Sequence, residues 1–355
     1  MQNFCTLFNS NFLTRGIALY KSISANCNDF HLYILTCDTT CYDVLNEFGF
    51  GHVTLIPLNE FEDQDLLKVK EERTLIEYFW TCSSSLILYC INRFELSMCT
   101  YLDADLYFYD NPLILLDEIG DNDVIITEHR YTKENNLTKQ RGRFNVQFMS
   151  FKNTNEGMKV LQSWRDKCIE WCYDKVEEGR FGDQKYLDYW PKEFKGIHIL
   201  ENMGGGVATW NINNYTLKDS KLLTFTDKEN GTIFKLIFFH FHAVKFYANK
   251  VVLLSDDKIS TEVKKAIYFP YINDLVKIEK EILARGFEVN SLGCIADNRN
   301  KLSFKDLLYI FRKELLFLLL NLKFRRFYFS FWFVYKKYIN HNYYAFDVNG
   351  IIEFN

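Results

Sequence analysis

The chain has 355 residues, of which 48% are hydrophobic and 25% charged, a composition that excludes a disordered protein and is typical of a globular one. Its net charge of −4 argues against a nucleic-acid-binding protein, because such proteins carry strongly basic surfaces. At about 100–200 residues per domain, the length allows one large domain or two modest ones.

Strand-like and helix-like segments alternate along the first 130 residues. Short apolar runs predict strands, and apolar residues at helical spacing predict helices. The predicted strands are residues 4–8, 31–35, 52–56, 98–102 and 123–127, and the predicted helices are residues 12–23, 41–48 and 75–94. This alternation indicates βαβ units and a mostly parallel sheet.

The same patterns continue after residue 140. They predict strands over residues 143–151, 196–200 and 236–244, and helices over residues 155–178 and 264–286. Ten cysteines occur without a CxxC pair, which indicates reduced, mostly buried thiols of a cytosolic protein. The N-terminus lacks a basic region followed by a long apolar core, so no signal peptide is expected.

Two aspartates, Asp103 and Asp105, come directly after a predicted strand. Residues two apart at a strand end point to the same side, and ligands of such sheets bind at the carboxyl ends of strands. Two adjacent carboxylates repel each other unless a cation lies between them, and their oxygens suit Mg²⁺ or Mn²⁺ shared with substrate phosphates. The pair therefore indicates a metal–diphosphate site. A solvated turn is the alternative, because Asp-x-Asp is common by chance.

A late strand carries two histidines, His240 and His242, which face the same way if the strand is regular. Either imidazole could add a nitrogen to a cation held by the aspartates, or both could be half-buried histidines on an aromatic sheet. Lys245 follows and could meet a phosphate as a point charge, although it could also be a solvated lysine.

Two further motifs are weaker. Asp183 and Gln184 could bind sugar hydroxyls or move a proton, but the local sequence favours Asp183 as a helix N-cap. Three glycines at 204–206 precede Trp210 and Asn211. Consecutive glycines allow close backbone approach to a ligand, and equally make an uncommitted surface loop.

The order of these motifs resembles that of the GT-A-fold glycosyltransferases. The βαβ start, Tyr101-Leu-Asp-Ala-Asp105, a strand with Asn145, Asp183-Gln184 and a late His240 motif are closest to the glycogenin and bacterial lipopolysaccharide sugar-transferase type, over roughly residues 3–250. The Gly-rich stretch before Trp-Asn also resembles uncharacterised transferases from bacterial surface-polysaccharide clusters.

The resemblance implies an α/β fold with a GT-A (Rossmann-like), mostly parallel central sheet flanked by helices, as a catalytic domain over residues 1–255. A helical, basic-aromatic extension is expected over residues 256–355. The implied activity is metal-dependent transfer of a sugar, hexosyltransferase-like, from a nucleotide-diphosphate donor, expected to be a UDP-sugar. The acceptor would be a glycan or a lipid-linked glycan in surface polysaccharide synthesis.

The resemblance also implies roles for single residues. Asp103 and Asp105 would bind Mn²⁺ or Mg²⁺ with His240, or alternatively with His242, because the usual His-Phe-x-Gly-x-x-Lys-Pro-Trp ending is reduced here to His240-Phe-His-Ala-Val-Lys245-Phe. Asp183 and Gln184 would lie at the reaction centre. The implied donor-binding residues are Thr6, Phe8, Asn9, Phe12, Ala104, Asn145, Trp210, Asn211 and Lys245.

The C-terminal segment differs in composition from the rest. Residues 305–345 carry eight Lys or Arg against two acidic residues, and the apolar runs 315–320 and 327–335 fall short of the ~20 residues that span a bilayer. Apolar blocks between basic residues suit an interfacial helix on an anionic membrane, so a cytoplasmic protein peripheral on the inner membrane face is expected. A buried closing helix and a partner interface are the alternatives.

Two other classes of function remain open. A nucleotidyltransferase of the same sheet type would carry a Gly-rich phosphate loop with basic residues after the first strand, where only Arg15 and Lys21 are nearby. A catalytically inactive sugar-nucleotide-binding scaffold would bind nucleotide without turnover. The donor sugar, the acceptor, and retention or inversion at the sugar stay open.

Overall fold

The computed structural model describes residues 1–296, 342–347 and 350–351. The strands are β1 (Gln2–Phe8), β2 (Phe30–Thr36), β3 (Val53–Pro57), β4 (Met98–Leu102), β5 (Leu106–Phe108), β6 (Val124–Glu128), β7 (Phe144–Lys152), β8 (Ile197–Ile199), β9 (Val207–Ala208), β10 (Tyr215–Asp219), β11 (Thr224–Asp227), β12 (Ile233–Lys235), β13 (Phe238–His240), β14 (Lys245–Tyr247), β15 (Val251–Leu253), β16 (Tyr343–Asp347) and β17 (Gly350–Ile351). The helices are α1 (Leu13–Asn26), α2 (Thr39–Phe48), α3 (Leu58–Phe61), α4 (Gln64–Lys70), α5 (Leu75–Arg93), α6 (Leu113–Leu116), α7 (Thr138–Arg141), α8 (Asn155–Glu170), α9 (Trp190–Glu193), α10 (Thr261–Val263) and α11 (Phe269–Ala284).

A seven-stranded sheet in the order β3-β2-β1-β4-β7-β6-β8 forms the centre of the molecule. β7 runs antiparallel to both of its neighbours, and the other paired strands are parallel. The carboxyl ends of β1, β4 and β6 and the amino end of β7 therefore meet at one edge. The predicted α/β fold with a mostly parallel sheet is confirmed.

Helices cover both faces of this sheet. α1 and α11 bury their apolar residues in one hydrophobic cluster with one side of the sheet, and α5 and α8 do the same in a second cluster on the other side. Strands covered on both faces are apolar at most positions, and from Phe4 to Phe8 in β1 and along β4 the only interruptions are Thr6 and Thr100. The predicted flanking helices are confirmed.

The predicted helix over residues 155–178 ends early, at Glu170. Trp171 is extended, and its carbonyl accepts a hydrogen bond from the Tyr186 hydroxyl at 2.8 Å. The backbone N–H of Asp174 donates to the Glu77 carboxylate at 2.8 Å, on the first turn of α5. These tertiary contacts draw the chain away from the helix axis.

The predicted strand over residues 236–244 is also wrong in part, because the chain turns after residue 240. Ala243 has a φ of +70°, in the left-handed region, and separates β13 from β14. β13 pairs antiparallel with β5 and parallel with β9 in a separate three-stranded sheet. This small sheet sets His240 opposite Leu106, next to the aspartate turn.

The predicted helix over residues 264–286 is confirmed within a few residues. α10 and α11 form one continuous helical segment, joined by a π-helical turn at Lys264–Tyr268. β16 pairs antiparallel with β15, so part of the C-terminal region returns to residues 251–253. Residues 305–341, which hold most of the predicted basic-aromatic segment, lie outside the described residues. Within the described ranges, no helix is long and apolar enough to cross a membrane.

Candidate functional site

Asp103 and Asp105 lie in the short turn between β4 and β5, at the carboxyl edge of the sheet. The N–H of Asp103 donates to the carbonyl of Gln147 at 3.0 Å, and the carbonyl of Asp105 accepts from the N–H of Phe241 at 3.0 Å. The turn is thus tied to β7 on one side and to the segment after β13 on the other.

His240 completes a cluster with the two aspartates. Its Nε2 atom lies 3.0 Å from Oδ1 of Asp105 and 3.7 Å from Oδ2 of Asp103. One ligand atom from each of the three residues lies within 4.8 Å of the others. The cluster thus joins two residues that are two positions apart in the chain with a third that lies more than 130 residues further on.

Burial and mutual charge perturb all three groups. Burial, and after it the negative charge of Asp105, raise the pKa of Asp103 to about 6 against the opposing effect of His240. Burial acts in the same direction on Asp105, but the charge and hydrogen bond of His240 outweigh it and hold that pKa at about 2. The carboxylates in turn raise the pKa of His240, although burial opposes this.

This donor set fits a divalent cation. Two carboxylate oxygens and one imidazole nitrogen suit Mn²⁺ or Mg²⁺. Desolvation and, after it, the charge of Asp105 raise the pKa of Asp103, and a cation between the two carboxylates would relieve their repulsion. The chemistry of the residues therefore agrees with the metal site that the sequence predicts, without identifying the ion.

The structure separates the two histidines. His242 is exposed, and its ring centroid lies 5.7 Å from that of His240. Both rings contact the indole of Trp210, at centroid distances of 5.1 Å for His240 and 5.6 Å for His242. Of the two, only His240 joins the cluster with the aspartates among the described residues.

Asp183 is buried close to this cluster. Burial raises the pKa of its carboxyl group well above the ordinary value, and the charge of Asp103 adds to the effect. The 3₁₀ helix over Lys185–Tyr189 has no side-chain cap, so the interpretation of Asp183 as an N-cap is wrong. The neighbouring Gln184 donates its amide to the carbonyl of Arg141 at 2.7 Å.

The residues predicted at the end of β1 take different positions. Thr6 is buried, and its hydroxyl has no partner among the described residues. The ring of Phe8 packs in the core against Gly16 of α1. Asn9 is half-buried, and Phe12 is 39% exposed with the Arg15 guanidinium 4.5 Å from its ring centroid.

Asn211 forms hydrogen bonds within its own loop and to His129 after β6. Its amide donates to the carbonyls of His129 and Gly206, both at 2.8 Å, and its Oδ1 accepts from the N–H of Ala208 at 2.9 Å. The indole N–H of Trp210 donates to the same His129 carbonyl at 2.8 Å. Asn211 therefore shapes the loop that presents the Trp210 ring to the histidines.

The three glycines before this loop are buried against the protein itself. A Cβ on Gly204 would lie 2.1 Å from the Lys235 carbonyl oxygen, and one on Gly205 would lie 2.8 Å from Leu200. A Cβ on Gly206 would lie 2.6 Å from the Arg130 guanidinium. The interpretation as an uncommitted surface loop is wrong, because tight packing of the backbone requires glycine here.

Ala104 and Lys245 occupy opposite environments. Ala104 is buried within the aspartate turn. Lys245 lies on β14 with about half of its side chain exposed, and its ammonium is 3.6 Å from the Asp256 carboxylate. A phosphate contact by Lys245 would therefore compete with this ion pair.

Two polar residues of β7 extend the site. The Oε1 atom of Gln147, a residue that sequence reasoning missed, lies 2.7 Å from Nδ1 of His240. Asn145 accepts from the Gln147 N–H at 3.2 Å, and its own amide nitrogen is buried without a partner among the described residues. Polar residues at alternate positions of an otherwise apolar strand were the available signal.

His129, also missed from the sequence, follows β6 at the same edge. It is buried, its ring stacks on Tyr131 at a centroid distance of 4.4 Å, and its Nδ1 has no partner among the described residues. Desolvation by burial lowers its pKa to about 3, so the ring is neutral.

The cysteines are mostly buried in the core. Nine of the ten are buried and all are free thiols, as the sequence predicts. Cys5, Cys90 and Cys99 have their sulfur atoms within 4.8 Å of one another inside the core, on β1, α5 and β4. Their soft sulfur donors do not suit Mg²⁺ or Mn²⁺.

Comparison with known proteins gives two curated relatives. No family model matches the chain. YfnD of Bacillus subtilis strain 168, an uncharacterised protein, is 32% identical over 286 residues, which cover 79% of this chain and 90% of YfnD. YfnF of the same organism, also uncharacterised, is 29% identical over 282 residues, which cover 77% of this chain and 89% of YfnF.

Three solved structures to which the chain is similar are glycosyltransferases, the class that the motifs resemble. The galactosyltransferase LgtC in complex with donor and acceptor sugar analogues has 14% identity and a TM-score of 0.45, over 68% of this chain and 87% of LgtC. Mouse xyloside xylosyltransferase 1 has 13% identity and a TM-score of 0.43, over 68% of this chain and 98% of that protein. The bifunctional glycosyltransferase WbbM has 12% identity and a TM-score of 0.46, over 80% of this chain and 51% of WbbM.

Proposed function

The chain belongs to the family of Bacillus subtilis YfnD, and we propose that it is a metal-dependent glycosyltransferase that uses a nucleotide-diphosphate sugar. The observation that carries this proposal is the cluster of Asp103, Asp105 and His240 at the carboxyl edge of the sheet. The expected donor is a UDP-sugar, and the expected acceptor is a glycan or a lipid-linked glycan in bacterial surface polysaccharide synthesis.

Asp103, Asp105 and His240 would hold Mn²⁺ or Mg²⁺ against the donor diphosphate. When bound, the ion supplies positive charge that stabilises a departing nucleoside diphosphate. The aspartate turn is tied to β7 and to the segment after β13, so these ligands are positioned by backbone hydrogen bonds before the substrate arrives. Such preorganisation avoids reorganisation of the site during the reaction.

Side chains around the cluster would bind the rest of the donor. The exposed ring of Phe12 would contact the base, with Thr6 and Asn9 at the ribose and the backbone of Phe8 beside them. The unpartnered amide of Asn145 would donate to the sugar, and Lys245 would meet a phosphate. The indole of Trp210, which packs against the rings of His240 and His242, would contact the sugar ring.

Asp183 is the proposed catalytic carboxylate, with Gln184 beside it. A carboxylate with a pKa raised by burial is a better proton acceptor near neutral pH than an exposed one. In an inverting reaction, Asp183 would take the proton of the acceptor hydroxyl. In a retaining reaction, it would stabilise the positive charge that develops on the donor sugar.

A donor screen tests this function. The protein is incubated with Mn²⁺ and a panel of UDP-, GDP-, CMP- and TDP-sugars, with and without EDTA, and released nucleotide is measured. We expect EDTA-sensitive hydrolysis of one donor, and at least a 100-fold lower rate in Asp103→Asn. Metal-dependent binding of a nucleotide sugar without turnover, even with candidate acceptors present, would instead favour the scaffold function.

We also propose that the protein is cytoplasmic and contacts the inner face of the membrane peripherally. The basic and aromatic composition of residues 305–345 supports this proposal. Such contact would concentrate the enzyme near lipid-linked acceptors.

A further inference from the structure

The side chain of Gln147 lies directly behind the imidazole of His240. Its Oε1 atom is 2.7 Å from Nδ1 of the ring, while Nε2 on the other side of the ring is 3.0 Å from Asp105 Oδ1. Gln147 is fully buried and His240 is 5% exposed. The ring is therefore held between an amide oxygen and a carboxylate in a place that water reaches poorly.

A distortion of β7 accounts for this position. Along the pairing with β6, Ile125 lies opposite Ser150, but Thr127 lies opposite Asn145, so β7 carries extra residues between these two points. On its other edge, β7 keeps a continuous register with β4. Such bulges occur next to active sites, where they redirect a side chain, and here the bulge contains Gln147.

An oxygen behind the ring determines which nitrogen is free for a cation. Metal-binding histidines usually donate their second N–H to an oxygen acceptor, which sets both the tautomer and the orientation of the ring. The Oε1 atom of Gln147 occupies the acceptor position, so a proton stays on Nδ1 and Nε2 is the nitrogen left to bind a cation held by the aspartates. Gly206 leaves room for this arrangement, since a Cβ there would lie 3.1 Å from the Gln147 amide nitrogen.

We propose that Gln147 is a positioning residue of the metal site, which orients His240 and thereby increases the affinity of the site for a divalent cation. The inference rests on the proposed function, because it takes Asp103, Asp105 and His240 as the metal ligands. It adds a residue that touches neither the ion nor the substrate and acts only through the imidazole.

Three variants separate positioning from general stability. Gln147→Met keeps the length of the side chain and removes the acceptor, whereas Gln147→Glu keeps an oxygen in the same place. Ser150→Ala is the matched control, because it removes a buried hydrogen bond from the same strand to Thr100, 2.8 Å between the oxygens, without contact to His240. The dissociation constant of Mn²⁺ is measured by electron paramagnetic resonance titration, together with the melting temperature.

We expect Gln147→Met to weaken Mn²⁺ binding by about 10–100-fold, the usual effect of removing such a partner. Gln147→Glu should bind Mn²⁺ nearly as tightly as the wild type, and Ser150→Ala should melt at a lower temperature with unchanged affinity. Wild-type affinity in Gln147→Met, or an equal loss of affinity in Ser150→Ala, would overturn the proposal.

A spectroscopic signature provides the second readout. In Mg²⁺-loaded wild-type protein with ¹⁵N-labelled histidine rings, the Nδ1 proton of His240 should exchange slowly with water, and the signal is assigned with His240→Asn. The proton should exchange faster in Gln147→Met and stay protected in Gln147→Glu. A wild-type ring without a protected Nδ1 proton overturns the proposal even if Gln147→Met does not fold. Wild-type protein that binds Mn²⁺ but turns over no nucleotide sugar contradicts the proposed function and leaves the role of Gln147 standing.

Discussion

At the scale of single residues, the site brings together carboxylates that carry the same charge. Desolvation and, after it, the charge of Asp105 raise the pKa of Asp103 to about 6, and Asp183 adds a buried carboxylate nearby. Buried charges of one sign cost folding free energy unless a counter-charge is present. A role in binding a positively charged ligand therefore explains this arrangement better than a contribution to folding stability does.

Asp105→Asn should reduce Mn²⁺ affinity by about 10–100-fold or more, because it removes a ligand rather than a supporting group. Turnover of the nucleotide sugar should fall with it, while circular dichroism stays that of the wild type. Asp65→Asn, at an exposed ion pair with Lys68, is the matched control and should leave both quantities unchanged. Full metal-dependent turnover in Asp105→Asn would contradict the assignment of Asp105 as a metal ligand.

Asp183→Asn should stabilise the metal-free protein at pH 8. The native pKa of Asp183 lies above its unfolded value, so folding is penalised at pH values above the unfolded pKa of about 3.9, and the penalty disappears as the pH falls below it. Replacing the carboxylate should raise the free energy of unfolding by about 0.5–2 kcal/mol at pH 8 and change it little at pH 4.

Urea denaturation at the two pH values measures this difference. Asp219→Asn is the contrasting control, because backbone N–H groups of Leu222 and Lys221 lower the pKa of that carboxylate. Its replacement should not stabilise the protein at pH 8. An Asp183→Asn variant that is less stable than the wild type at pH 8 would contradict the conclusion that burial of the ionised Asp183 carboxylate destabilises the fold.

At the scale of secondary-structure elements, β7 and the loop before β9 build the wall of the site. β7 is the antiparallel strand of the central sheet, and its distorted register directs Gln147 to His240. The glycines before β9 let the loop with Trp210 approach β7 closely. The two elements are packed so tightly that a change in one should be transmitted to the metal ligands.

Gly206→Ala should therefore destabilise the protein more than Gly231→Ala. Both glycines have a positive φ, +87° at Gly206 and +76° at Gly231, so both variants carry backbone strain of about 1–2 kcal/mol. Only at Gly206 would the added Cβ also meet neighbours, at 2.6 Å from Arg130 and 2.8 Å from Thr127.

Thermal unfolding and Mn²⁺ titration of the two variants test this prediction. We expect Gly206→Ala to lose about 2–4 kcal/mol in free energy of unfolding and to bind Mn²⁺ more weakly. Gly231→Ala should lose only the free energy of backbone strain, about 1–2 kcal/mol, and should bind Mn²⁺ as the wild type does. Equal stability of the two variants would contradict this prediction, because it would show that the loop accommodates the Cβ added at Gly206 with no further loss of free energy of unfolding.

At the scale of the whole molecule, the described residues of the C-terminal region are part of the fold. β16 pairs with β15, and the N–H of Ile351 donates to Asn273 Oδ1 on α11 at 2.8 Å. Deleting everything after residue 304 would remove these contacts along with the basic segment. Charge substitution in the full chain is therefore the sharper test of membrane contact.

A full-length variant with five basic residues changed to Gln should lose binding to anionic vesicles. Each Lys or Arg near an anionic surface contributes about 1 kcal/mol, so removal of five should lower binding by well over tenfold. The five changed residues are Lys323, Arg325, Arg326, Lys336 and Lys337. Co-sedimentation with phosphatidylglycerol and phosphatidylcholine vesicles at two salt concentrations measures the effect.

The matched control removes five exposed lysines from other parts of the chain. They are Lys68, Lys133, Lys175, Lys235 and Lys277. This control should keep most of the vesicle binding, because its lysines are scattered over the surface. Equal binding by the two variants and the wild type would contradict a membrane role for residues 305–345.

The sequence by itself determined the class of fold and the position of the aspartate pair. Strand and helix periods are local properties, so β1, β2, β4 and β6 were predicted within two residues at each end. An apolar strand that ends in Asp103 and Asp105 likewise needs no knowledge of distant residues to be placed at a sheet edge.

Only the tertiary structure decided which other groups meet the aspartates. The choice of His240 over His242 follows from the turn at Ala243 and from the pairing of β13 with β5, and the role of Gln147 follows from the bulge in β7. The end of α8 at Glu170 likewise depends on hydrogen bonds to Tyr186 and Glu77. These contacts join residues far apart in the chain, and they form because burial and hydrogen bonding across the whole molecule outweigh the local preference that a sequence pattern records.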